Sequence, residues 1–384
     1  MKILILADDF TGAMDTGCQF AATGLETYVL AGPQTVEVPE AEVLVVNTES
    51  RHLTPGEAYR VTEGILRKLA PQCETVYIKT DSALRGNISA VLAAAVAVVG
   101  VPVQYVPSYP QVGRTMSAGY VYIEDDLLEH SVFARDPRSP MLISKAADII
   151  RMDYPLTCRL IRANEAYQET PGVDVYLYDC ESVSAMRKIA ESLAENGRMR
   201  LIGGCAGLAG ALAPYIGRKK QKRQRVVSPG TLIVSGSANA VTFDQLSRRG
   251  NARMVNLARE EICLPAGVEC LKDGESLILA AACSQQDIVQ DAPESYHQEL
   301  GEKIAGITEE LLRQSGIRNL AVFGGDTVQA ILKRLGCTMV HVLGSLEEGV
   351  PVCEADGLCL VTKSGGLGGP DVVGHIIEYL TGGR

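Results

Sequence analysis

The sequence predicts an α/β protein of two domains, each a parallel-rich or mixed sheet flanked by helices, with a ligand cleft between them. Three observations carry that expectation. Short apolar runs of strand length alternate with helix-length stretches along the chain, the pattern of βα units around a mostly parallel sheet. The length of 384 residues suggests two domains at roughly 100–200 residues each, and 46% hydrophobic with 21% charged residues is an ordinary globular composition. The basic run RKKQKRQR at 218–225, followed by Ser228-Pro229-Gly230, reads as a solvated linker. Domains are therefore expected at 1–217 and 230–384, with a basic linker at 218–229.

Taken in order, Lys2 to Leu6 is an apolar run that reads as the first strand, Asp8 to Gly12 a polar turn, and Ala13 to Ala22 a helix ending near Gly24. Thr27 to Leu30, Val43 to Val46, Val76 to Ile78, Val103 to Val106 and Val175 to Tyr178 read as strands, with helices at Pro55 to Leu69 and Ala90 to Val99. Beyond the linker, Thr231 to Val234 opens the second domain, and βα units recur at Asn319 to Leu335 and Leu358 to Leu380. No repeat of solenoid period occurs.

Several function classes are disfavoured. The longest apolar run, Ala90 to Val99, falls short of the ~20 residues that cross a bilayer, so no membrane span is expected. Asp8-Asp9 interrupts the apolar run after Lys2, which argues against export and for a cytoplasmic protein. The 11 cysteines include no C-x-x-C and the 5 histidines no i, i+4 pair, so neither a disulfide framework nor a Cys/His metal centre is expected, and metal ligands stay undetermined. A net charge of −10 with 5% aromatic residues disfavours a nucleic-acid face. The competing reading of the basic run, a patch for nucleic acid or anionic lipid, is weaker for the same reason. A small molecule is the expected partner.

Polar residues gather where strands end, the edge at which open α/β sheets bind ligands. ADDFTGAMD places Asp8, Asp9 and Asp15 with Thr11 after the first strand; helix capping accounts for one acid and poorly for three. KTDSALRGN brings the cations Lys79 and Arg85 together with Asp81 and Ser82, a mixture suited to a polyhydroxylated anion, although a surface salt-bridge cluster reads equally well. NTESR with Arg51 and PSYPQVGRT with Arg114 repeat the theme, and a local cationic pocket from Arg51, Lys79, Arg85 and Arg114 is the expected carboxylate anchor.

In the second domain, AVFGGDTVQAIL is a strand, a Gly-Gly-Asp-Thr turn and a helix, a geometry in which backbone amides cradle phosphate. LVTKSGGLGGPDVVGHII repeats it, with Lys363 at the strand end and Pro370 at a plausible first helical position. No P-loop and no complete G-x-G-x-x-G occurs, which weakens a dehydrogenase reading. Ser235-Gly236-Ser237 ends a third strand and reads either as part of the same nucleotide site or as a tight turn.

Together, ADDFTGAMDTG, NTESR, KTDSALRGN, PSYPQVGRT, SGS, GGDT and TKSGGLG, in that order from Ala7 to Gly368, resemble the four-carbon acid sugar kinase family, the tetronate kinases. The resemblance implies an N-terminal sugar-acid-binding domain, a C-terminal ATP-binding domain, and phosphorylation of the terminal 4-hydroxyl of a tetronate such as threonate or erythronate. ATP and Mg²⁺ are the implied cofactors. An oxo-tetronate 4-kinase and a non-catalytic sugar-acid-binding protein of the same fold are the alternatives, and a homo-oligomer is left open. Substrate contacts carry over to Asp8, Asp9, Thr11, Asp15, Arg51, Lys79, Asp81, Ser82, Arg85 and Arg114. ATP contacts carry over to Ser235, Ser237, Gly324, Gly325, Asp326, Thr327, Gly365 and Gly366. One carboxylate among Asp8, Asp9, Asp81 and Asp326 is the expected base or orienter for the attacking hydroxyl. Three places depart from the family pattern: Val91 where a Glu is usual, Ala238-Asn239 where Cys-Ser is frequent, and Leu367 for a common Phe.

Overall fold

Ile3–Ala7 (β1) is apolar and buried at every position, as a strand covered on both faces by helices requires. The turn after it is shorter than the sequence suggests. Helix α1 (Phe10–Ala21) begins at Phe10 because Asp9 takes the N-cap, and its carboxylate accepts the Gly12 amide at 2.9 Å. The structure is a computed structural model and describes residues 1–33, 39–136, 138–163, 165–217, 228–289 and 292–382. The basic run at 218–225, expected as an exposed linker, lies outside the described residues.

The chain divides into two compact units, Met1–Lys220 and Gln221–Arg384. After α1 the first unit continues with β2 (Thr27–Leu30), β3 (Val43–Asn47), α2 (Pro55–Leu69), β4 (Thr75–Lys79), α3 (Ile88–Val99) and β5 (Val103–Val106). Helix α2 starts where the sequence places it, because Thr54 and Glu57 form a reciprocal capping box ahead of Pro55. A small antiparallel sheet follows: β6 (Arg114–Ser117), β7 (Tyr120–Ile123) and β8 (Asp126–Leu127). Its strands are two to four residues long, and none of them is among the strands expected from the sequence, although Tyr120–Ile123 is a short aromatic and β-branched run. Then come α4 (Ala146–Ile150), β9 (Cys158–Ile161), β10 (Val175–Tyr178), α5 (Val183–Glu195), β11 (Leu201–Gly204) and α6 (Ala206–Ile216).

Within this unit the main strands lie in the order β2-β3-β1-β4-β11-β5-β10-β9, each parallel to its neighbours. From β1 the chain passes to β2 at the outer position, returns to β3 beside β1, and then crosses to the other side of β1 at β4. That reversal leaves a crevice at the carboxyl ends of β1 and β4.

The second unit contains β12 (Thr231–Ser235), α7 (Ala240–Ser247), β13 (Arg253–Asn256), α8 (Leu264–Lys272), β14 (Ser276–Ala280), α9 (Glu294–Ser315), β15 (Asn319–Phe323) and α10 (Gly325–Arg334). It ends with β16 (Met339–Glu347), β17 (Val350–Ala355), β18 (Leu358–Lys363) and α11 (Val372–Thr381). Strands run β13-β14-β12-β15-β18 in parallel, and β17 and β16 add on antiparallel. The expected mixed sheet is thus present, with its reversal between β12 and β15. Ile233, Ile278, Phe323 and Val361 from the sheet meet Val372 and Ile376 of α11 in the core.

Candidate active site

At the β1/β4 crevice the register sets Ala7 level with Asn47 and Lys79, so the segments beginning at Asp8, Thr48 and Thr80 leave the sheet side by side. Arg51 reaches back across them. Its Nε and Nη2 donate to the two oxygens of Asp8 at 2.8 and 2.9 Å, its Nη1 donates to Asp9 Oδ2 at 2.9 Å, and Asp81 Oδ2 lies 3.7 Å away. Arg85 makes a second fork: Nε and Nη2 donate to Asp81 at 3.0 and 2.9 Å, while Nη1 donates to Asp136 at 2.8 Å. Arg114 Nη1 donates to Ser82 Oγ. The expected cationic pocket is therefore largely self-neutralised, because each of Arg51 and Arg85 already holds carboxylates.

Lys79 differs. The residue is buried, and its ammonium makes no hydrogen bond or ion pair with the described residues. Its Nζ and Asp9 Oδ1 both lie 2.5 Å from where a Cβ on Gly12 would stand, so a side chain there would have to displace the ends of both. Thr11 and Asp15, i and i+4 on α1, share its half-buried face.

The acids at this crevice are pushed in opposite directions. Burial raises Asp8, against the pull of the Arg51 charge and with Asp9 adding to the rise. Burial also opposes ionisation of Asp81, but Arg51 and the Arg85 fork outweigh it and hold Asp81 well below the ordinary carboxylate range. A depressed carboxylate stabilises the fold fully above its unfolded value and loses that contribution as pH falls toward the folded one. The stability gap between the parent and Asp81→Asn, read from urea midpoints, should accordingly narrow between pH 7 and pH 3. A gap that widens on acidification would contradict it.

Sequence reasoning missed two residues here. The Phe133 ring lies 5.0 Å from the Arg85 guanidinium and 5.1 Å from that of Arg114, and Asp136 aims its second oxygen at the Arg138 and Ser139 amides. Both sit between the short β-sheet and α4, far in sequence from the arginines they hold, and carry no motif of their own. Val91, the first departure from the family pattern, is buried in α3.

In the second unit Ser235, Phe323 and Lys363 stand level on adjacent parallel strands, which brings three turns together. A Cβ on Gly236 would collide with Thr327 Oγ1, and one on Gly365 would stand 2.6 Å from Ser237 Oγ. Gly324, the N-cap of α10, has φ 110°, a backbone conformation that side chains rarely tolerate. Ser235 is fully buried and its hydroxyl has no partner among the described residues. Asn239 caps α7 by accepting the Val241 amide at 2.9 Å, and Leu367 packs on Gly349, which gives both departures from the family pattern a structural place. Asp326 is exposed on the first turn of α10. Lys363 does not face outward as an open cation: it is 2% exposed and bound to the carbonyls of the loop that follows it.

Among the described residues, no group of three or more His, Cys, Asp or Glu is placed to hold a metal ion, and no helix is long and apolar enough to cross a membrane.

Two family models match the chain. Residues 3–212 match the family described as a sugar-binding N-terminal domain and residues 232–373 one described as a nucleotide-binding C-terminal domain. A D-threonate kinase of Salmonella typhimurium is 28% identical over 99% of this chain and 98% of its own. A 3-oxo-tetronate kinase of Pseudomonas fluorescens is 27% identical over 99% and 97%. The crystal structure of a Salmonella typhimurium LT2 protein described as a putative tRNA synthase has the same fold, with a TM-score of 0.83, 24% identity and coverage of 97% and 98%. With both domain families matched in order and full-length relatives of one enzyme class, the chain belongs to the tetronate kinase family.

Proposed function

We propose that the protein transfers the γ-phosphate of ATP to the terminal 4-hydroxyl of a four-carbon sugar acid of the threonate or erythronate type. The observation that carries this reading is the closeness of Lys79 and Asp9 at the β1/β4 crevice: a buried ammonium that makes no hydrogen bond among the described residues, beside a carboxylate whose side chain is 29% exposed against 9% for Asp8 and 8% for Asp81. A sugar acid needs such a pair, a cation for its carboxylate and an acceptor for a hydroxyl.

In the mechanism we propose, Lys79 holds the acid's carboxylate, helped by the remaining N–H groups of Arg85 and Arg114. Asp9 accepts the hydrogen bond of the attacking hydroxyl and turns a lone pair toward the phosphorus. Each Asp9 oxygen accepts one bond, from Gly12 and from Arg51, which leaves a lone pair on each for substrate. Asp8 and Asp81 keep Arg51 fixed behind it, while Thr11, Asp15 and Ser82 offer hydroxyl and carboxylate contacts to the remaining substrate oxygens.

The tightly packed turns at Ser235–Ser237, Gly324–Thr327 and Gly365–Gly366 fit a nucleotide's phosphates, since a cradle without side chains lets backbone amides approach them. Mg²⁺, when bound, would neutralise charge on the β- and γ-phosphates; with no acidic cluster among its described residues, the second unit would hold it through phosphate and water, with Asp326 as a carboxylate on this edge.

An oxo-tetronate remains a second reading, favoured by the relative named 3-oxo-tetronate kinase. Measuring ADP release with ATP and a panel of D-threonate, L-threonate, both erythronates and 3-oxo-tetronates decides between them. Absence of release with every acid, together with measurable acid binding, would replace the kinase reading with that of a binding protein. Lys79→Met is expected to raise the KM for the acid by ~10- to 100-fold, the worth of a charge-assisted hydrogen bond, with the KM for ATP unchanged. An unchanged KM for the acid would point to Arg85 or Arg114 as the anchor.

A further inference from the structure

The loop after β18 binds its own carbonyls inward. Lys363 Nζ lies 2.9 Å from the carbonyl oxygen of Ser364, 3.2 Å from that of Gly365, 3.1 Å from that of Leu367 and 3.2 Å from Thr242 Oγ1. Gln245 Nε2, from α7, lies 3.2, 2.9 and 3.0 Å from the carbonyl oxygens of Leu367, Gly368 and Gly369. A trans peptide is planar, so a carbonyl turned to one side turns the next residue's N–H to the other. Capture of the Ser364, Gly365 and Leu367 carbonyls therefore directs the amides of Gly365, Gly366 and Gly368 away from Lys363. Those three amides donate to no acceptor among the described residues.

The rest of the loop obeys the same rule. The Gly368 carbonyl is captured, and the Gly369 amide on the opposite side donates to Glu347 Oε2 at 2.6 Å, so an anionic oxygen already occupies one position of this face. After the Gly369 carbonyl comes Pro370, which has no N–H to direct. The Gly366 carbonyl has no such bond, and the Leu367 amide turns back to Ser364 instead, at 3.2 Å.

We propose that Lys363 and Gln245 are positioning residues for the nucleotide, holding the 364–369 loop in the peptide orientation that offers the amides of Gly365, Gly366 and Gly368 to a phosphate group. Lys363 does this from behind the backbone rather than by touching phosphate, since three carbonyls and a threonine hydroxyl surround its ammonium. Its charge also lies on the far side of the peptide plane from the anion and favours it electrostatically. Gln245 supplies the neutral half of the same device, which separates orientation from charge. The inference rests on the nucleotide reading of this unit and assigns its work to Lys363, inside the glycine turn, and to Gln245, outside it.

The test uses the full chain and ADP, with Lys363→Met and Gln245→Leu compared with the parent by calorimetric titration and by steady-state kinetics. The expected result is an ADP Kd and an ATP KM raised about tenfold or more in Lys363→Met and severalfold in Gln245→Leu, with the KM for the sugar acid unmoved. A purely structural role would lower thermal stability without separating the two KM values. Folded variants that both bind ADP within twofold of the parent overturn the inference. Should Lys363→Met fail to fold, Gln245→Leu decides by the same criterion. A parent that binds no ADP overturns the nucleotide reading itself, and the inference with it.

Discussion

Arg51→Met is expected to destabilise the protein by about 3–5 kcal/mol and to abolish turnover, because it strips the shared partner from carboxylates that are mostly buried. Among the described residues Arg51 is the side chain that reaches Asp8, Asp9 and Asp81 together, and without it Asp8 and Asp9 lose their hydrogen-bonded cation while Asp81 keeps only Arg85. Methionine keeps the stem's apolar contacts, so the loss reads the charge and the hydrogen bonds rather than volume. Arg51→Lys should recover only part, since an ammonium cannot fork to both Asp8 oxygens while reaching Asp9. Urea unfolding at pH 7 checks both variants; a midpoint for Arg51→Met close to the parent's would mean that the acids find other partners.

Asp9→Asn should reduce kcat by about 10²-fold or more, with the KM for ATP nearly unchanged. Asparagine caps helices about as well as aspartate, so its oxygen can still accept the Gly12 amide and start α1 at Phe10. What it lacks is an anionic oxygen for the substrate hydroxyl. The comparison set is Asp8→Asn, Asp81→Asn and Asp326→Asn, each with folding checked by circular dichroism. Asp81→Asn should act mainly on stability, since both its oxygens are already engaged with Arg85. Near-parent turnover in all four variants would mean that the site works by alignment alone, without a carboxylate base.

The pattern of βα units was legible because continuous buried strands leave a local trace. Thr27–Leu30, Val103–Val106 and Val175–Tyr178 fall where their apolar runs do, and Pro55–Leu69 is bounded by its own cap. The strand ends were legible too, since polar residues directly after such a run mark an edge whatever the strand order. Short or irregular elements were not: β6 to β8 are two to four residues long, and the β16–β17 hairpin carries bulges that break its alternation.

By itself the sequence determined two α/β units, polar strand ends in each, glycine turns in the second, and the family. Those are properties of neighbouring residues, and local sterics and burial are enough to decide them. Which charges cancel and which stay available was decided only in three dimensions. Arg51, Arg85 and Lys79 look alike as strand-end cations, yet the β3-β1-β4 order sets Arg51 against Asp8 and Asp9, and the chain beyond β8 brings Asp136 to Arg85, while Lys79 makes no hydrogen bond among the described residues. Lys363 reads only as a lysine at a strand end, and its burial beneath the loop's carbonyls, which places it behind the amides, is visible in the fold alone. An ion pair joins groups up to 51 positions apart here, so its existence depends on strand order and register, which no local pattern encodes.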